Sequence, residues 1–409
     1  MRLLLASNRY FLSGGPERYL FNVAPVLEER GHTVIPFALA YERNIDSPYA
    51  HYFPPPPAGS DFVRFDDRDL GLGERALLAW KVVRDTAVYR AARRVLRAER
   101  IDAVYALQIA HYLYPDLLFA ARDEDIPVLW RQSDYQLICP AYNSFRAGAP
   151  CRLCDGGLGN ALRHRCLKDS LAVTGARVAA MTYARFRRAD GAAVRIVCPS
   201  LHLLSRLREN GFPDERLVHL STPVADDLLS GTPSPPGTTV LYVGGFYPPK
   251  GVSVAIDAAR KAAWNLVLAG DTETPEGRAL RASAPSHVTF AGHLSGGDLT
   301  AAYRAARCVV VPSRWEENAP NVVLEAQAHG RPVVASRIGS LTEMIDDGVD
   351  GLLVPPGDPY ALQAAVERLL GDDKLAAGLG RAARARIERD HAMAGHLDRL
   401  ERIFREIVR

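Results

Sequence analysis

Residues Val309 to Ser336 read VVVPSRWEENAPNVVLEAQAHGRPVVAS. The stretch opens on an unbroken β-branched run, Val309 to Val311, and closes on a second apolar run, Val333 to Ala335. Between them lie a polar loop through Ala319, a helical stretch from about Pro320 and a stop at Gly330. Short apolar runs flanking a helix describe a βαβ unit whose strands are covered on both faces. Proline suits a first helical turn and glycine a C-terminal stop, so both helix ends are marked.

Two carboxylates belong to this unit, Glu317 in the loop and Glu325 in the helix, with seven residues between them. The loop leaving the C-terminal end of a parallel strand is where such sheets bind ligands, and a helix N-terminus favours an anion. Free N–H groups around Asn321 and Val322 can meet phosphate oxygens, while carboxylates accept hydrogen bonds from sugar hydroxyls. The pattern suits a phosphorylated, hydroxyl-rich ligand. By spacing alone, a solvated helix acid and an ordinary loop acid would look the same.

The surrounding residues decide between these readings. With Gly330, Pro332 and Val333 to Ser336, the stretch resembles the signature of the retaining GT-B glycosyltransferases of family GT4, in which two glutamates seven residues apart precede a GxPVVAS-like strand. The likeness continues through Gly339, Glu343, Gly348, Gly351 and the LLVPPGD stretch ending at Asp358. Where many members carry Gly-Phe-Gly after the first glutamate, this chain has Asn318, Ala319 and Pro320, and Pro320 offers no N–H. The resemblance implies two Rossmann-like parallel-sheet domains facing a central cleft, with a C-terminal helix crossing back to the first. It also implies transfer of a sugar from a nucleotide-diphosphate sugar to an acceptor hydroxyl, without a catalytic metal.

Length and composition agree with a soluble globular protein of two domains. The 409 residues suffice for two cores, and a formal charge of +3 gives no case for nucleic-acid binding. The opening MRLLLASNRYF breaks into Ser7, Asn8 and Arg9 too early for a secretory segment and reads as a first buried strand. No stretch has the length of a membrane-crossing helix, so the expectation is a cytoplasmic protein.

In chain order, a helix from about Pro16 to Arg30 follows a loop holding Gly14 and Gly15. A glycine pair there lets backbone approach a phosphate, or simply makes a turn. The likeness extends to this GGxER segment, which in the family lies against the donor diphosphate. Residues 43 to 73, with Pro54 to Pro57, read as a long loop, either mobile on the acceptor side or plainly disordered. From Glu74 to Arg100 the chain reads as one basic helix whose apolar side includes Leu77 and Trp80. It can be a solvated face, or it can rest on anionic lipid at the inner membrane surface.

Further strands are expected at Asp102 to Tyr105 and Pro127 to Trp130, with a helix from about Pro115 to Arg122 between them. In many family members the second of these strands ends in a His-Asp pair whose histidine reaches the donor sugar. Here Ser133 stands in the histidine's place and Asp134 is kept, with His111 as another histidine that could serve. Four cysteines follow: Cys139, Cys151, Cys154 and Cys166, the central pair spaced C-x2-C and each outer cysteine eleven residues away. Such a cluster can close a structural zinc site, with His164 able to replace a ligand; unlinked thiols and disulfides are the alternatives.

The Pro/Gly/Thr-rich stretch around 223 to 239 reads as a linker. It separates an acceptor-side domain, 1 to 222 with an insertion at 139 to 166, from a donor domain, 240 to 385, and a returning helix, 386 to 409. The donor domain opens on TVLYVGGFYPPKG, which lacks the order of a Walker A loop. In the resembled family an arginine and a lysine grip the diphosphate at this point. Lys250 matches the lysine, Gly245, after Gly244, stands where the arginine is common, and Arg314 is a candidate substitute. Loops at Gly270 and Gly292 would flank the base. The implied roles are sugar positioning for Glu317, ribose binding for Glu325 and charge stabilisation for Lys250, Gly15 and the Val322 amide. UDP is the expected nucleotide, and glycan, lipid-linked or small-molecule acceptors all remain open. A sugar-nucleotide epimerase, a glucan phosphorylase and a non-catalytic nucleotide-sugar-binding partner are the rival readings.

Overall fold

A computed structural model describes residues 1 to 57, 72 to 110 and 112 to 408, with backbone alone for 72 to 76 and 190. His111 and residues 58 to 71 of the expected 43 to 73 loop lie outside the described residues.

The described residues form two six-stranded parallel sheets and one small hairpin. Strands of the first sheet are β1 (Arg2–Ser7), β2 (Thr33–Phe37), β3 (Ala103–Gln108) and β4 (Val128–Arg131). The hairpin is β5 (Phe145–Arg146) with β6 (Ala149–Pro150), after which β7 (Ala193–Cys198) and β8 (Leu217–His219) complete the first sheet. The second sheet holds β9 (Thr239–Val243), β10 (Leu266–Ala269), β11 (Val288–Gly292), β12 (Ala306–Val311), β13 (Val333–Ser336) and β14 (Gly351–Val354). Its order, β11-β10-β9-β12-β13-β14, is that of a dinucleotide-binding sheet, whereas the first runs β2-β1-β3-β4-β7-β8. Both are the doubly wound, Rossmann-like layers implied by the resemblance.

Strand periodicity explains how each sheet fills two layers. In β1, Leu4 and Ala6 face a core with Val88, Val95 and Trp130, while Leu3 and Leu5 face the other side. On that other side lies the last helix, Met393–Ile407, whose Leu397, Leu400, Phe404 and Ile407 recur at helical spacing and are all buried. Each such side chain contributes about 2 kcal/mol by leaving water. A buried polar seam fixes the helix laterally: Tyr19 Oη lies 2.6 Å from Tyr105 Oη and 2.8 Å from His396 Nε2, and His396 Nδ1 lies 2.8 Å from the Ser221 carbonyl.

The boundaries shift from those read in the sequence. Residues 386 to 390 belong to the preceding helix, Asp373–Asp390, whose Ile387 is buried in the core of the second domain, so the returning segment starts after them. Val224, inside the expected linker, packs into that same core.

The expected single helix from 74 to 100 is two, Leu72–Val83 and Thr86–Ala98. Asp85 divides them because its side chain accepts from the Ala87 N–H, the geometry of an N-cap. Several of its cations are engaged within the domain. Arg84 pairs with the buried Asp116 at 2.8 Å, Arg93 and Arg97 with Glu124, and Arg94 donates to the His51 carbonyl at 2.6 Å. The described start of the long loop is also ordered, with a 3-10 turn at Ala50–Tyr52 and Tyr52 donating to Glu99 at 2.9 Å. Among the described residues, no helix is long and apolar enough to cross a membrane.

Candidate active site

The C-terminal edges of the two sheets meet. Ser200, just past β7, donates to the Asn318 side chain at 2.7 Å, and Asn318 Nδ2 donates to the Gln132 carbonyl, just past β4, at 3.1 Å. The first two amides of the helix Leu201–Glu209 donate to the Glu343 carboxylate at 2.8 and 3.2 Å, so a helix start in one domain holds an acid of the other. Parallel strands leave their loops at this edge, and the cleft between the domains is therefore lined by βα loops from both.

Glu317, next to Asn318 of this junction, is 4 % exposed. Lys250 Nζ stands 2.8 and 3.1 Å from its two oxygens, and Ser313 Oγ donates to Oε1 at 2.6 Å. The ammonium also lies 5.0 Å from the centre of the Trp315 ring. Lys250 closes a 3-10 turn, and Gly251 turns the chain through φ 68° into the helix Val252–Ala262. A Cβ at Gly251 would stand 1.8 Å from the Pro312 carbonyl oxygen, so only glycine lets the Lys250 turn rest on the strand that leads to Glu317. Arg314 joins the same corner, its amide donating to the Pro249 carbonyl at 2.8 Å and its guanidinium to the Gly148 carbonyl at 3.0 Å.

The second carboxylate is set across the domain gap. Glu325, 7 % exposed, pairs with Arg18 of the first domain and accepts from Tyr303 Oη at 2.8 Å. Burial raises the Tyr303 phenol well above its ordinary value, and the Glu325 charge adds to the shift, so it stays a donor. Gly14 is extended and caps the helix Gly15–Glu29. A Cβ on Gly15 would come within 3.3 Å of Asn321 Nδ2, so the start of that helix lies against the start of the helix Asn321–Ala328. Pro320 is the extended cap residue of the latter rather than part of its first turn. Beside Arg18 and Glu325 opens a cavity of about 600 Å³ that also includes Tyr303, Asn321 and His329. That volume is of the order needed for a drug-sized ligand.

The remaining expected residues divide into two groups. Gly244, Gly270 and Gly292 end three neighbouring strands, the Gly244 amide donating to Ala269 and the Gly270 amide to Gly292, each at 2.9 Å. At Gly245 a Cβ would stand 2.2 Å from the Tyr247 ring, so an arginine would displace Tyr247. Ser133 and Asp134, by contrast, bond within the first domain. Arg131 donates to Ser133 Oγ at 3.1 Å, and Asp134 accepts from the Gln136 amide at 2.9 Å and from Gln108 at 3.3 Å. Burial raises the Asp134 carboxyl above its ordinary value against these bonds and the Arg177 charge.

Sequence reasoning passed over Arg18, Tyr303, Asn318 and Glu316. Arg18 stood inside the GGPER segment already singled out, and its charge at the start of a helix was the available signal. Glu316 is reached by Arg152 at 3.2 Å and by His202 at 3.5 Å, and against its burial these partners hold its carboxyl below the usual range.

The four clustered cysteines, all unpaired thiols, line one small cavity together with Arg146, Asp155 and Arg206. Burial pushes the Cys154 thiol up to about 11, with the other three cysteines adding to it. Among the described residues, no group of three or more ligating side chains is set as a shell that could hold a metal ion. The structure thus does not show the expected zinc site, and the four cysteines are free thiols around one cavity.

Residues 237 to 372 match the model of the glycosyl transferases group 1. A D-inositol 3-phosphate glycosyltransferase of Acidothermus cellulolyticus is 39 % identical over 179 residues, 40 % of this chain and 38 % of that protein. The chain thus spans well under half the length of that relative. Sucrose-phosphate synthase from Thermosynechococcus elongatus has the same fold, with a TM-score of 0.71 at 18 % identity over 99 % of this chain and 98 % of that one. HepE of Anabaena, solved in complex with UDP, gives 0.68 at 17 % over 99 % of this chain and 100 % of its own. Together with the two parallel sheets, these likenesses identify the architecture as GT-B.

Proposed function

We infer that this chain, whose residues 237 to 372 match the model of the glycosyl transferases group 1, moves a sugar from a nucleotide-diphosphate sugar to an acceptor hydroxyl. The reading extends to UDP as the nucleotide and to retention at the anomeric carbon. The observation that carries it is the Lys250–Glu317 pair, at 2.8 Å, beside a helix start that faces Gly15 across the cleft. An ammonium, backbone amides at helix starts and buried carboxylates are the groups that hold a diphosphate and a sugar.

In this reading the bond from the anomeric carbon to the β-phosphate oxygen breaks while the acceptor oxygen bonds the same face of that carbon. The acceptor proton passes to a β-phosphate oxygen, so no protein nucleophile is required. Lys250, the Gly15 amide and the amides at Asn321 and Val322 stabilise charge growing on the departing diphosphate. Arg314 supplies the second cation where Gly245 has none. Glu317 accepts from sugar hydroxyls, and Glu325, oriented by Arg18 and Tyr303, accepts from the ribose. Support for UDP is its presence in the HepE complex, a protein of the same fold.

The test is melting temperature with UDP, GDP, ADP and dTDP, for the unaltered chain and for Lys250→Ala and Glu325→Ala. Ligand at 100 times its dissociation constant adds about 2.7 kcal/mol, which moves melting by a few degrees. A shift with UDP, lost in both variants, is expected; incubation with UDP-sugars and an acceptor panel should then release UDP and give an α-linked product from an α-linked donor. Stabilisation by UDP without release of nucleotide with any acceptor would favour the non-catalytic binding reading. Conversion of the UDP-sugar to its epimer in the absence of an acceptor would favour an epimerase.

A further inference from the structure

Two helices of the first domain, Leu72–Val83 and Leu171–Phe186, pack against each other. Each buries an inward stripe, Leu78 and Val82 on the first and Ala180, Met181 and Ala184 on the second. Those stripes meet the needs of the core, yet both helices also turn apolar side chains outward. Leu77 is 53 % and Trp80 64 % exposed, and Leu171 is 57 % and Phe186 82 % exposed. Phe186 is the most exposed large apolar side chain among the described residues. Single exposed leucines are ordinary, but a tryptophan and a phenylalanine this open on adjoining helices mark a contact surface.

One bond fixes how the helices lie. Arg84, whose amide still bonds the Trp80 carbonyl at 2.8 Å, donates from its side chain to Tyr183 Oη of the second helix at 3.4 Å. Leu77, Trp80 and Arg84 recur at helical spacing and share one stripe, which therefore runs beside the second helix. Trp80 stands one turn before that bond and Phe186 about one turn after Tyr183, so both aromatics belong to the same end of the pair.

Cations flank them. Lys81 follows Trp80, and Arg185, Arg187 and Arg188 bracket Phe186, all three arginines being exposed. Arg185 donates to the Leu137 carbonyl at 2.8 Å, and Arg187 lies 5.9 Å from the centre of the Tyr183 ring. Among the described residues, none of these four cations has a carboxylate partner. The basic helix Thr86–Ala98 differs, because Glu124 takes up its Arg93 and Arg97. From 160 to 190 the chain holds seven Lys and Arg against two Asp, so the unpaired charge gathers here and not along the earlier basic run.

We propose that this face rests on a membrane surface that carries anionic lipid, with Trp80 and Phe186 entering the headgroup layer and Lys81, Arg185, Arg187 and Arg188 meeting lipid phosphates. Exposed aromatics beside lysine and arginine suit the boundary between water and acyl chains, where a ring can sit at headgroup depth and a cation finds a counter-charge. A protein partner fits less well, since the centre of a protein interface is depleted of charge, whereas four cations stand among these side chains. The contact is peripheral, and it is independent of the reaction proposed above.

The test is co-sedimentation of the full chain with vesicles of phosphatidylcholine alone and of phosphatidylcholine mixed equally with phosphatidylglycerol. Binding to the mixed vesicles is expected to be at least about tenfold the stronger and to weaken with added salt. Trp80→Ser/Phe186→Ser and Arg187→Glu/Arg188→Glu should each lower it about tenfold, with melting temperature and nucleotide response unchanged. A second readout leaves the chain unaltered: Trp130 and Trp264 are buried, so brominated lipid should quench chiefly Trp80. Trp80→Phe should keep binding and lose that quenching. No binding to mixed vesicles, equal binding by both double variants, or bound protein whose tryptophan signal stays undimmed would each overturn the proposal. A dimer of the unaltered chain that Trp80→Ser/Phe186→Ser abolishes would assign the face to a second copy and overturn it as well.

Discussion

The two edges that form the cleft are built differently. On the donor side the chain passes from β12 to β13 through a short loop and one eight-residue helix, and within that span lie both Glu317 and Glu325. On the opposite side the connection from β4 to β7 runs from residue 132 to residue 192, with a hairpin, two helices and the cysteine cluster inside it. The short connection holds its two carboxylates buried, Glu317 against Lys250 and Glu325 against Arg18. The long one presents half-exposed groups such as Arg152. In the proposed reaction the diphosphate and ribose are common to every donor of one nucleotide, and a compact, prepaired edge suits them. The acceptor has no such common part.

The largest effect should come from the compact edge. Lys250→Ala is expected to lower turnover by on the order of 10²–10³-fold, the usual loss when one donor to a developing anion is removed. Ser133→Ala should cost less than about tenfold, since Ser133 is held by Arg131 within its own domain. Equal losses in nucleotide release would break the contrast between the two edges.

A second prediction concerns the seam under the first sheet. Burial, with the Arg131 and Arg399 charges outweighing one bond to Ser221, lowers His396 from 6.5 to about 3. The unfolded chain then binds the extra proton between those values, so stability is full above pH 6.5 and is lost as pH falls toward 3. The slope should approach about 1.4 kcal/mol per pH unit. Urea unfolding between pH 7 and pH 4.5 should show this loss, and His396→Asn should flatten it. An unchanged slope in the variant would move the acid sensitivity elsewhere.

Smaller effects sharpen the comparison further. Arg18→Ala should weaken UDP binding about tenfold by calorimetry, and its coupling to Glu325→Gln should fall within about 0.5–3 kcal/mol, as expected for residues in contact. Arg152→Ala, by contrast, should change stability by less than about 1 kcal/mol, because its guanidinium is half-exposed. A thermal shift well beyond that would make the loop's cross-domain contacts more than a rim.

The layers of the fold were legible because β-branched runs such as Val309–Val311 and stops such as Gly330, at φ 65°, act locally. The break at Asp85 was also local, since aspartate before Thr86 is a capping signal, but the basic run around it masked the cap. Glu317, Lys250 and Glu325 could each be singled out on their own. Their partnerships could not, because Lys250 meets Glu317 across 67 positions and Arg18 meets Glu325 across 307. For the same reason the C-x2-C was visible, while its convergence with Cys139 and Cys166 on one cavity depends on how the intervening turns fold.

The chain passes between the domains twice, once near Thr222 and again near His391. The two passages touch: the Val224 amide donates to the His391 carbonyl at 2.9 Å, and His391 Nδ1 lies 2.8 Å from the Thr222 carbonyl. A single tether would let one lobe swing in any direction, whereas two bonded side by side act as paired pins and leave chiefly one axis of rotation. Opening and closing would then retrace one arc, returning Arg18 to Glu325 and Gly15 to Asn321 in the same register each time.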